Sequence, residues 1–173
     1  MHQGLATYRA TGAEMFHPYL LALLAETYEK VDQVEEGISV LAEAETQMQK
    51  IGERFYEAEL YRLKGKLTLQ QESIERRAES EEQKSKNQNP NSHLLDPRGE
   101  AEACFHKAIA IAQKQRAKSL ELRAATTLAR LWQNQGKRAD AHKLLSDVYN
   151  WFTEGFDTKD LQEAKTLLEE LRH

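Results

Sequence analysis

An internal repeat of about 40 residues constrains the fold of this sequence more than any other feature. Two series of small residues mark the repeat, each within stretches of helical periodicity: Ala25, Gly65 and Ala129 in the first, and Gly37, Ala101 and Ala141 in the second. The spacing is 40 and then 64 residues in the first series, and 64 and then 40 in the second. Both series therefore place a single insertion of about 24 residues between Gly65 and Ala101.

The residue types in the repeat predict pairs of closely packed helices. Two helices approach closely only where their side chains are small, which explains alanine or glycine at the six marked positions. Larger apolar residues lie four positions after each small residue of the second series and fill the adjoining space: Leu41, Phe105 and Leu145. No segment shows a convincing strand pattern. The sequence therefore predicts an all-α protein of about three helical hairpins with flanking helices.

Apolar periodicity also predicts the position of each helix. The predicted helices cover residues 2–12, 18–30, 34–51, about 98–115 and about 119–136. Another long helix begins near Glu53 and fades after Gln71. Two more helices are predicted after residue 136. The apolar face of the first includes Trp151, and the second is the final helix of the chain. The residues predicted to start or stop helices are Pro18, Gly52, Ser119, Gly136, Gly155, and Asp157 or Thr158.

A polar segment at about 72–97 interrupts the helical pattern. Residues 79–92 hold too few apolar groups to offset the entropy of ordering them. The sequence predicts that the helix frays within 72–84 and that a flexible loop continues to about Pro97. The segment is either a tolerated insertion, since longer loops cost little closure entropy, or a regulated docking segment. With it, residues 1–173 are predicted to form a single helical-repeat domain.

Charge and composition exclude several classes of function. The net charge is −4 and the pI is near 5.9, so the chain lacks the basic character of a nucleic-acid binder. A single cysteine, Cys104, favours a reducing, cytoplasmic compartment. Residues 1–10 lack the apolar core of a signal peptide. The longest apolar run, residues 19–25, is too short for a membrane span, and we expect no membrane partner.

The nucleophiles and metal-binding side chains show no catalytic spacing. His106 lies about 200° round a helix from Cys104, so it cannot act as a base for that thiol. No two of the six histidines have the i, i+4 spacing of a helical metal site. Aromatic residues at repeat positions, such as Tyr28 and Trp132, are interpreted as core packing. We therefore expect no enzyme activity, no cofactor and no metal.

The repeat positions resemble those of the tetratricopeptide repeat (TPR) family. The residues that carry the resemblance are Leu21, Leu24, Ala25, Tyr28, Gly37, Leu41 and Ala44 in the first repeat, Tyr61, Gly65, Ala101, Phe105 and Ala108 in the second, and Ala125, Leu128, Ala129, Trp132, Ala141, Leu145 and Val148 in the third. Lys64 and Thr68 replace the family's Leu and Tyr, and the period exceeds its usual 34 residues. The resemblance implies a TPR-like α-α superhelix.

A second resemblance covers most of the chain. The segments that carry it are residues 4–14, 57–65, 101–112, 118–132 and 151–161. Together they are similar to the C-terminal helical-repeat region of large bacterial signalling ATPases, which often carry a class III adenylate cyclase-type or a DNA-binding domain. This implies a regulatory or sensor segment. It implies no catalytic residue here, since the chain has no glycine-rich phosphate loop.

The TPR resemblance implies where a partner would bind. In that family the first helix of each pair lines a concave groove, and the matching positions here are Tyr19, Ala22, Glu26 and Glu29, then Glu59, Arg62, Lys66 and Leu69, then Arg123, Thr126, Arg130 and Gln133. Four of them are basic: Arg62, Lys66, Arg123 and Arg130. Such a strip would hold an acidic peptide through charge-assisted hydrogen bonds. The alternative is a solvated face whose charge is balanced by Glu59 and Glu121.

Two functions follow from this reading of the sequence. The first is a protein-protein interaction module with a protein or peptide partner. The second is a self-associating structural domain. Residues 2–12 look like the last part of a hairpin whose first helix is missing, and an open end of a repeat stack favours pairing with another copy. The second hypothesis therefore predicts a homo-oligomer formed through the N-terminal end.

Overall fold

The computed structural model describes residues 16–83 and 96–172, and in this part of the chain the regular secondary structure is α-helix. Its seven helices are α1 (His17–Lys30), α2 (Val34–Ile51), α3 (Glu57–Gln83), α4 (Pro97–Gln115), α5 (Lys118–Asn134), α6 (Arg138–Tyr149) and α7 (Lys159–Leu171). The described residues contain no strand, which confirms the predicted all-α class. The predicted helix at 2–12 and most of the predicted loop, residues 84–95, lie outside the described residues.

Two compact units make up the described part of the chain. The first consists of the described residues of Met1–Tyr56 and Leu63–Ala101, and the second of those of Glu57–Arg62 and Glu102–His173. The first therefore holds α1, α2 and most of α3. The second holds the first turns of α3, most of α4 and all of α5 to α7. The prediction of a single domain stays a prediction.

The first unit is organised around the hairpin of α1 and α2. A turn at residues 31–33 joins these helices, which pack against each other. Pro18 lies in the first turn of α1, as predicted, and Gly52 ends α2 in the left-handed conformation with φ 71°. The small residue Gly37 is buried, and a Cβ built on it would lie 3.0 Å from both methyl groups of Leu67 on α3. Glycine at 37 therefore lets α3 approach α2.

The second unit is organised around α5, α6 and α7. The turn at residues 135–137 joins α5 and α6, which pack together, and α7 packs against both. Gly136 in this turn has φ 77°, a left-handed conformation that glycine adopts without strain. The apolar face of α7 is buried, as its periodicity predicted, at Leu161, Ala164, Leu167, Leu168 and Leu171.

Burial at the repeat positions agrees with both series of small residues. All six small residues are buried: Ala25, Gly65, Ala129, Gly37, Ala101 and Ala141. The larger residues predicted to fill the adjoining space are buried too: Leu41, Phe105 and Leu145. Phe105 is the largest of the fully buried side chains in the described residues. The repeat read from the sequence therefore marks true packing positions.

Helix α3 ends within the predicted range but begins later than predicted. The sequence predicts that the helix frays within 72–84, and α3 ends at Gln83; it begins at Glu57 and not near Glu53. Side-chain pairs one turn apart support the polar part of the helix. Arg76 lies 2.6 Å from Glu72, and Arg98 of α4 lies 3.3 Å from the same carboxylate. The end of α3 at Gln83 therefore lies within the predicted range, near its C-terminal limit.

Helix ends near residues 117–119 and 149–158 also differ from the predictions. Ala117 occupies the N-cap position of α5, so Ser119 is inside the helix. Thr158 is at the N-cap of α7, but its hydroxyl donates a 2.7 Å hydrogen bond to the Gly155 carbonyl and makes no side-chain cap. Because α6 ends at Tyr149, Trp151 does not join its apolar face and is 58% exposed. The prediction that Trp151 is buried is wrong.

The length and hydropathy of the helices bear on membrane insertion. Among the described helices, none combines the length and the hydropathy that a membrane span needs. The polar and charged residues of α3, the longest of them, are spread along its whole length.

Candidate functional site

A cluster of three charged side chains, two of them buried and one half-buried, lies in the second unit. Glu59 on α3 is 1% exposed and accepts hydrogen bonds from Nε of Arg62 at 2.9 Å and from its Nη2 at 2.6 Å. Arg123 on α5 approaches the same carboxylate, with Nη2 2.9 Å from Oε1. Asp160 of α7 lies further away, 3.9 Å from Arg123 Nε. One buried carboxylate is therefore shared by guanidinium groups from two helices.

The sequence places this cluster through simple helical geometry. Glu59 and Arg62 are three residues apart, so they lie on the same face of α3. Arg123 lies on the face of α5 that carries the groove positions inferred from the TPR resemblance. Burying a charge is costly unless it is paired and hydrogen-bonded, and here the two-pronged guanidinium of Arg62 meets both carboxylate oxygens. The cluster therefore ties α3 to α5 within the second unit.

The other groove positions on α5 have different surroundings. Arg130 is exposed to solvent, whereas Thr126 is buried and donates its hydroxyl hydrogen bond to the Leu122 carbonyl. Gln133 is half-buried, and its side-chain amide donates to Glu170 of α7 at 3.3 Å. Of the two arginines predicted on this helix, Arg130 therefore presents its charge to solvent, and Arg123 is largely engaged with Glu59.

The first unit places its groove positions on α1 and α3. Lys66 is half-buried and lies 2.8 Å from Glu29, so its positive charge is balanced by a carboxylate on α1. Glu26 is paired with Lys30 one turn along the same helix, at 3.3 Å. These ion pairs agree in part with the alternative interpretation, in which carboxylates balance the basic charges of the groove positions. These charges are not fully solvated, however, because Glu26, Glu29 and Lys66 are half-buried.

Tyr19 belongs to an aromatic cluster that the sequence did not predict. Its ring lies 4.8 Å from that of Tyr56 and 6.2 Å from that of Phe55, and Phe55 also contacts Phe16 at 6.4 Å. Phe16 and Phe55 are 49% and 51% exposed. We call these four residues the first-unit aromatic cluster. The only sequence signal for it is the pair of adjacent aromatics just after Gly52, which no helical period explains.

Trp132 has a polar partner that the core-packing interpretation did not include. Its indole N–H donates a 2.8 Å hydrogen bond to Glu102, and its ring lies 5.7 Å from that of His106. Lys137 lies 3.6 Å from the other oxygen of Glu102. A half-buried tryptophan commonly donates its indole N–H to a polar group. A hydrogen bond from Trp132 to a carboxylate on the neighbouring helix could therefore have been predicted from the sequence.

Metal ligation and thiol chemistry were also searched in the described residues. There, no group of three or more His, Cys, Asp or Glu side chains could hold a metal ion. Cys104 is half-buried on α4. These facts describe residues 16–83 and 96–172, and the candidate functional residues within each unit are charged and aromatic side chains.

Comparisons with known proteins were made for the whole sequence. No protein-family model matches it, and a search of curated proteins found no match. The resemblance to TPR proteins therefore stays a prediction from the residues quoted above.

Proposed function

We propose that this chain is a protein-protein interaction module built of TPR-like helical hairpins, and that its partner is an acidic protein segment. One observation carries the proposal: both series of repeat positions are buried, with the three larger residues that follow the second series. In repeat proteins of this kind such positions hold the helices together. The rest of each helix surface then remains for binding.

The face of α5 that carries Arg130 and Gln133, called the α5 surface below, has side chains that can bind an acidic segment. Arg130 is exposed, and its side chain can form two parallel hydrogen bonds with a carboxylate. Gln133, three residues along, has an amide that donates to Glu170 and thereby shows the donor geometry available on this face. Arg62 is not part of this binding surface, because it is buried against Glu59. From the resemblance to signalling ATPases, we further propose that the module takes part in cytoplasmic bacterial regulation.

Charge reversal at Arg130 tests this function. Random peptides displayed on phage are first selected on the purified chain, and a selected peptide is synthesised with a fluorescent label. We expect selected peptides to be rich in Asp and Glu, and Arg130→Glu to weaken binding by about tenfold or more, since a guanidinium–carboxylate contact becomes a repulsion. Fluorescence anisotropy measures the affinity.

Lys114→Glu is the matched control for this variant. Lys114 is exposed on α4 and undergoes the same change of charge, so it reproduces the long-range electrostatic effect without altering the α5 surface. If both variants weaken binding equally, the effect is one of net charge and the proposed surface is wrong. Selection of peptides without an excess of carboxylates would contradict the proposed partner class.

Self-association is the second candidate function, and the first-unit aromatic cluster favours it. Four aromatic rings meet there, and two of them are about half exposed. Aromatic side chains dominate the energetics of many protein interfaces. A second copy of the chain would cover these rings in a homodimer.

Sedimentation equilibrium distinguishes the two candidates. If self-association is the function, the chain sediments as a dimer at about micromolar concentration and Phe55→Lys converts it to a monomer, because a desolvated lysine is costly at an apolar interface. If the chain is an interaction module alone, it sediments as a monomer with or without the substitution. Exposed Ile74→Lys on α3 is the matched control.

A further inference from the structure

The connection between α6 and α7 carries an unusual concentration of aromatic side chains. Tyr149, Trp151, Phe152 and Phe156 lie within eight residues of the sequence. Trp151 is 58% exposed and Phe156 is 47% exposed, while the other two are half-buried. We call residues 149–157 the aromatic loop. Single exposed apolar residues are ordinary on protein surfaces, but two large ones on one short loop are not.

The rings of the aromatic loop are arranged in pairs. Trp151 meets Phe152 edge to face, with ring centroids 5.2 Å apart and an interplanar angle of 85°. Tyr149 and Phe156 lie 5.9 Å apart. The half-buried member of each pair therefore supports the exposed one. This arrangement gives the exposed rings a fixed orientation towards solvent.

Backbone hydrogen bonds are present at both ends of the loop. The N–H of Trp151 donates to the Val148 carbonyl at 3.3 Å, and that of Phe152 donates to Tyr149 at 3.1 Å. At the other end, the N–H of Thr158 donates to the carbonyl of Gly155, which has φ 76°. Rigid aromatic groups lose little conformational entropy on binding, so a preorganised loop is well suited to hold a partner.

The charged residues within 144–158 are all acidic. No lysine or arginine occurs between Lys143 and Lys159, whereas Asp147, Glu154 and Asp157 all occur there. All three carboxylates are exposed, and none forms an ion pair with another described residue. Lys118 does approach the Trp151 ring, at 5.6 Å from its centroid. Its charge is balanced, however, by Glu121 at 2.7 Å.

These observations decide the chemistry of the occupant. An apolar centre with acidic flanks matches a segment that has apolar anchors and flanking lysines or arginines. The same carboxylates repel nucleic acid and anionic lipid headgroups, because those carry negative charge. We propose that the aromatic loop is a second docking surface, and that it binds a basic, amphipathic segment of a partner protein. This site does not depend on the α5 surface of the proposed function.

Two synthetic peptides of about 14 residues, roughly four helical turns, test the proposal. One places leucines on one helical face and lysines on the other, and its control has glutamate in place of every lysine. We expect the Leu/Lys peptide to bind and the Leu/Glu peptide not to bind. Anisotropy of a label on the peptide measures affinity. The tryptophan emission should also shift to shorter wavelength as Trp151 leaves water.

Substitutions on the loop locate the binding. Trp151→Ala should lower the affinity for the Leu/Lys peptide by about 30-fold, as expected of a tryptophan at the centre of an interface. Phe55→Ala, an equally exposed aromatic in the first unit, should leave its affinity unchanged. Glu154→Lys combined with Asp157→Lys should weaken it by about tenfold at low salt and less at high salt. Glu169→Lys on α7 is the charge control.

Several outcomes would overturn the proposal. Equal binding of the Leu/Lys and Leu/Glu peptides would remove the acidic flanks as a determinant. Equal affinity of Trp151→Ala and Phe55→Ala would remove the loop itself. Binding of phosphatidylserine vesicles that is lost in Trp151→Ala would assign the loop to membranes. Self-association lost in the same variant would assign it to a second copy. Because Arg130→Glu is expected to leave the Leu/Lys affinity unchanged, failure here is distinct from failure of the proposed function.

Discussion

Glu59→Gln should lower the free energy of unfolding by about 3–5 kcal/mol, although the side chain keeps its shape. Glu59 is 1% exposed, accepts hydrogen bonds from Arg62 at 2.6 and 2.9 Å, and forms an ion pair with Arg123 at 2.9 Å. The amide has no negative charge, so two guanidinium groups in a poorly hydrated place lose the carboxylate they share. Urea unfolding followed by tryptophan fluorescence measures the change, because Trp132 and Trp151 both belong to the second unit.

Two further variants test whether the loss of stability arises because the Glu59 charge is buried and paired, and not simply because a carboxylate is removed. Glu75→Gln is the matched control, since Glu75 is exposed on the same helix and should change stability by less than about 0.5 kcal/mol. Replacing all three members by methionine should restore part of the loss, because no charge then remains buried without a partner. If Glu59→Gln unfolds at the same urea concentration as Glu75→Gln, the cluster does not stabilise the second unit.

Phe105→Ala should cost about 3–5 kcal/mol through the cavity it leaves. Phe105 is 0% exposed on α4 and is the largest of the fully buried side chains in the described residues. Since the whole stability of a domain is about 5–15 kcal/mol, this loss would bring the second unit close to unfolding at room temperature. Thermal unfolding followed by circular dichroism measures it through the loss of helix.

Phe156→Ala and Phe105→Leu are the controls for this prediction. Phe156 is 47% exposed, so its truncation should cost less than about 1 kcal/mol. Phe105→Leu keeps most of the buried volume and should cost less than half as much as the alanine variant. A Phe105→Ala protein as stable as Phe156→Ala would show that Phe105 does not fill a packed core, and that the repeat register is wrong at this position.

The parts of the fold that could be predicted from sequence are those that repeat. Gly37 and Ala141 occupy equivalent positions in different hairpins, and both are buried because the same close helix approach recurs. One series of spacings would be weak evidence for a repeat. Two series that place the insertion at the same point determine which residues are equivalent in the three repeats. The sequence could place the end of helix α3 only within 72–84, because local polarity there is high, and the helix ends at Gln83. Its ion pairs, including that of Glu72 with Arg98, depend on a residue beyond the insertion.

The site was harder to predict than the fold, for a physical reason. A helical pattern shows which residues share a face, but it does not show whether another helix covers that face. Arg62 and Arg130 look alike in sequence, yet Arg62 is buried against Glu59 while Arg130 is exposed. Trp151 was predicted to be buried because the apolar period continues past Tyr149, where the backbone leaves the helix.

The most direct test of the interaction-module account is a nuclear magnetic resonance titration of the isotopically labelled chain with a peptide selected on it. The account predicts saturable changes in the amide resonances of α5 around Arg130 and Gln133, and their loss in the Arg130→Glu variant. Amide changes that do not saturate, or that are absent from α5, would contradict it.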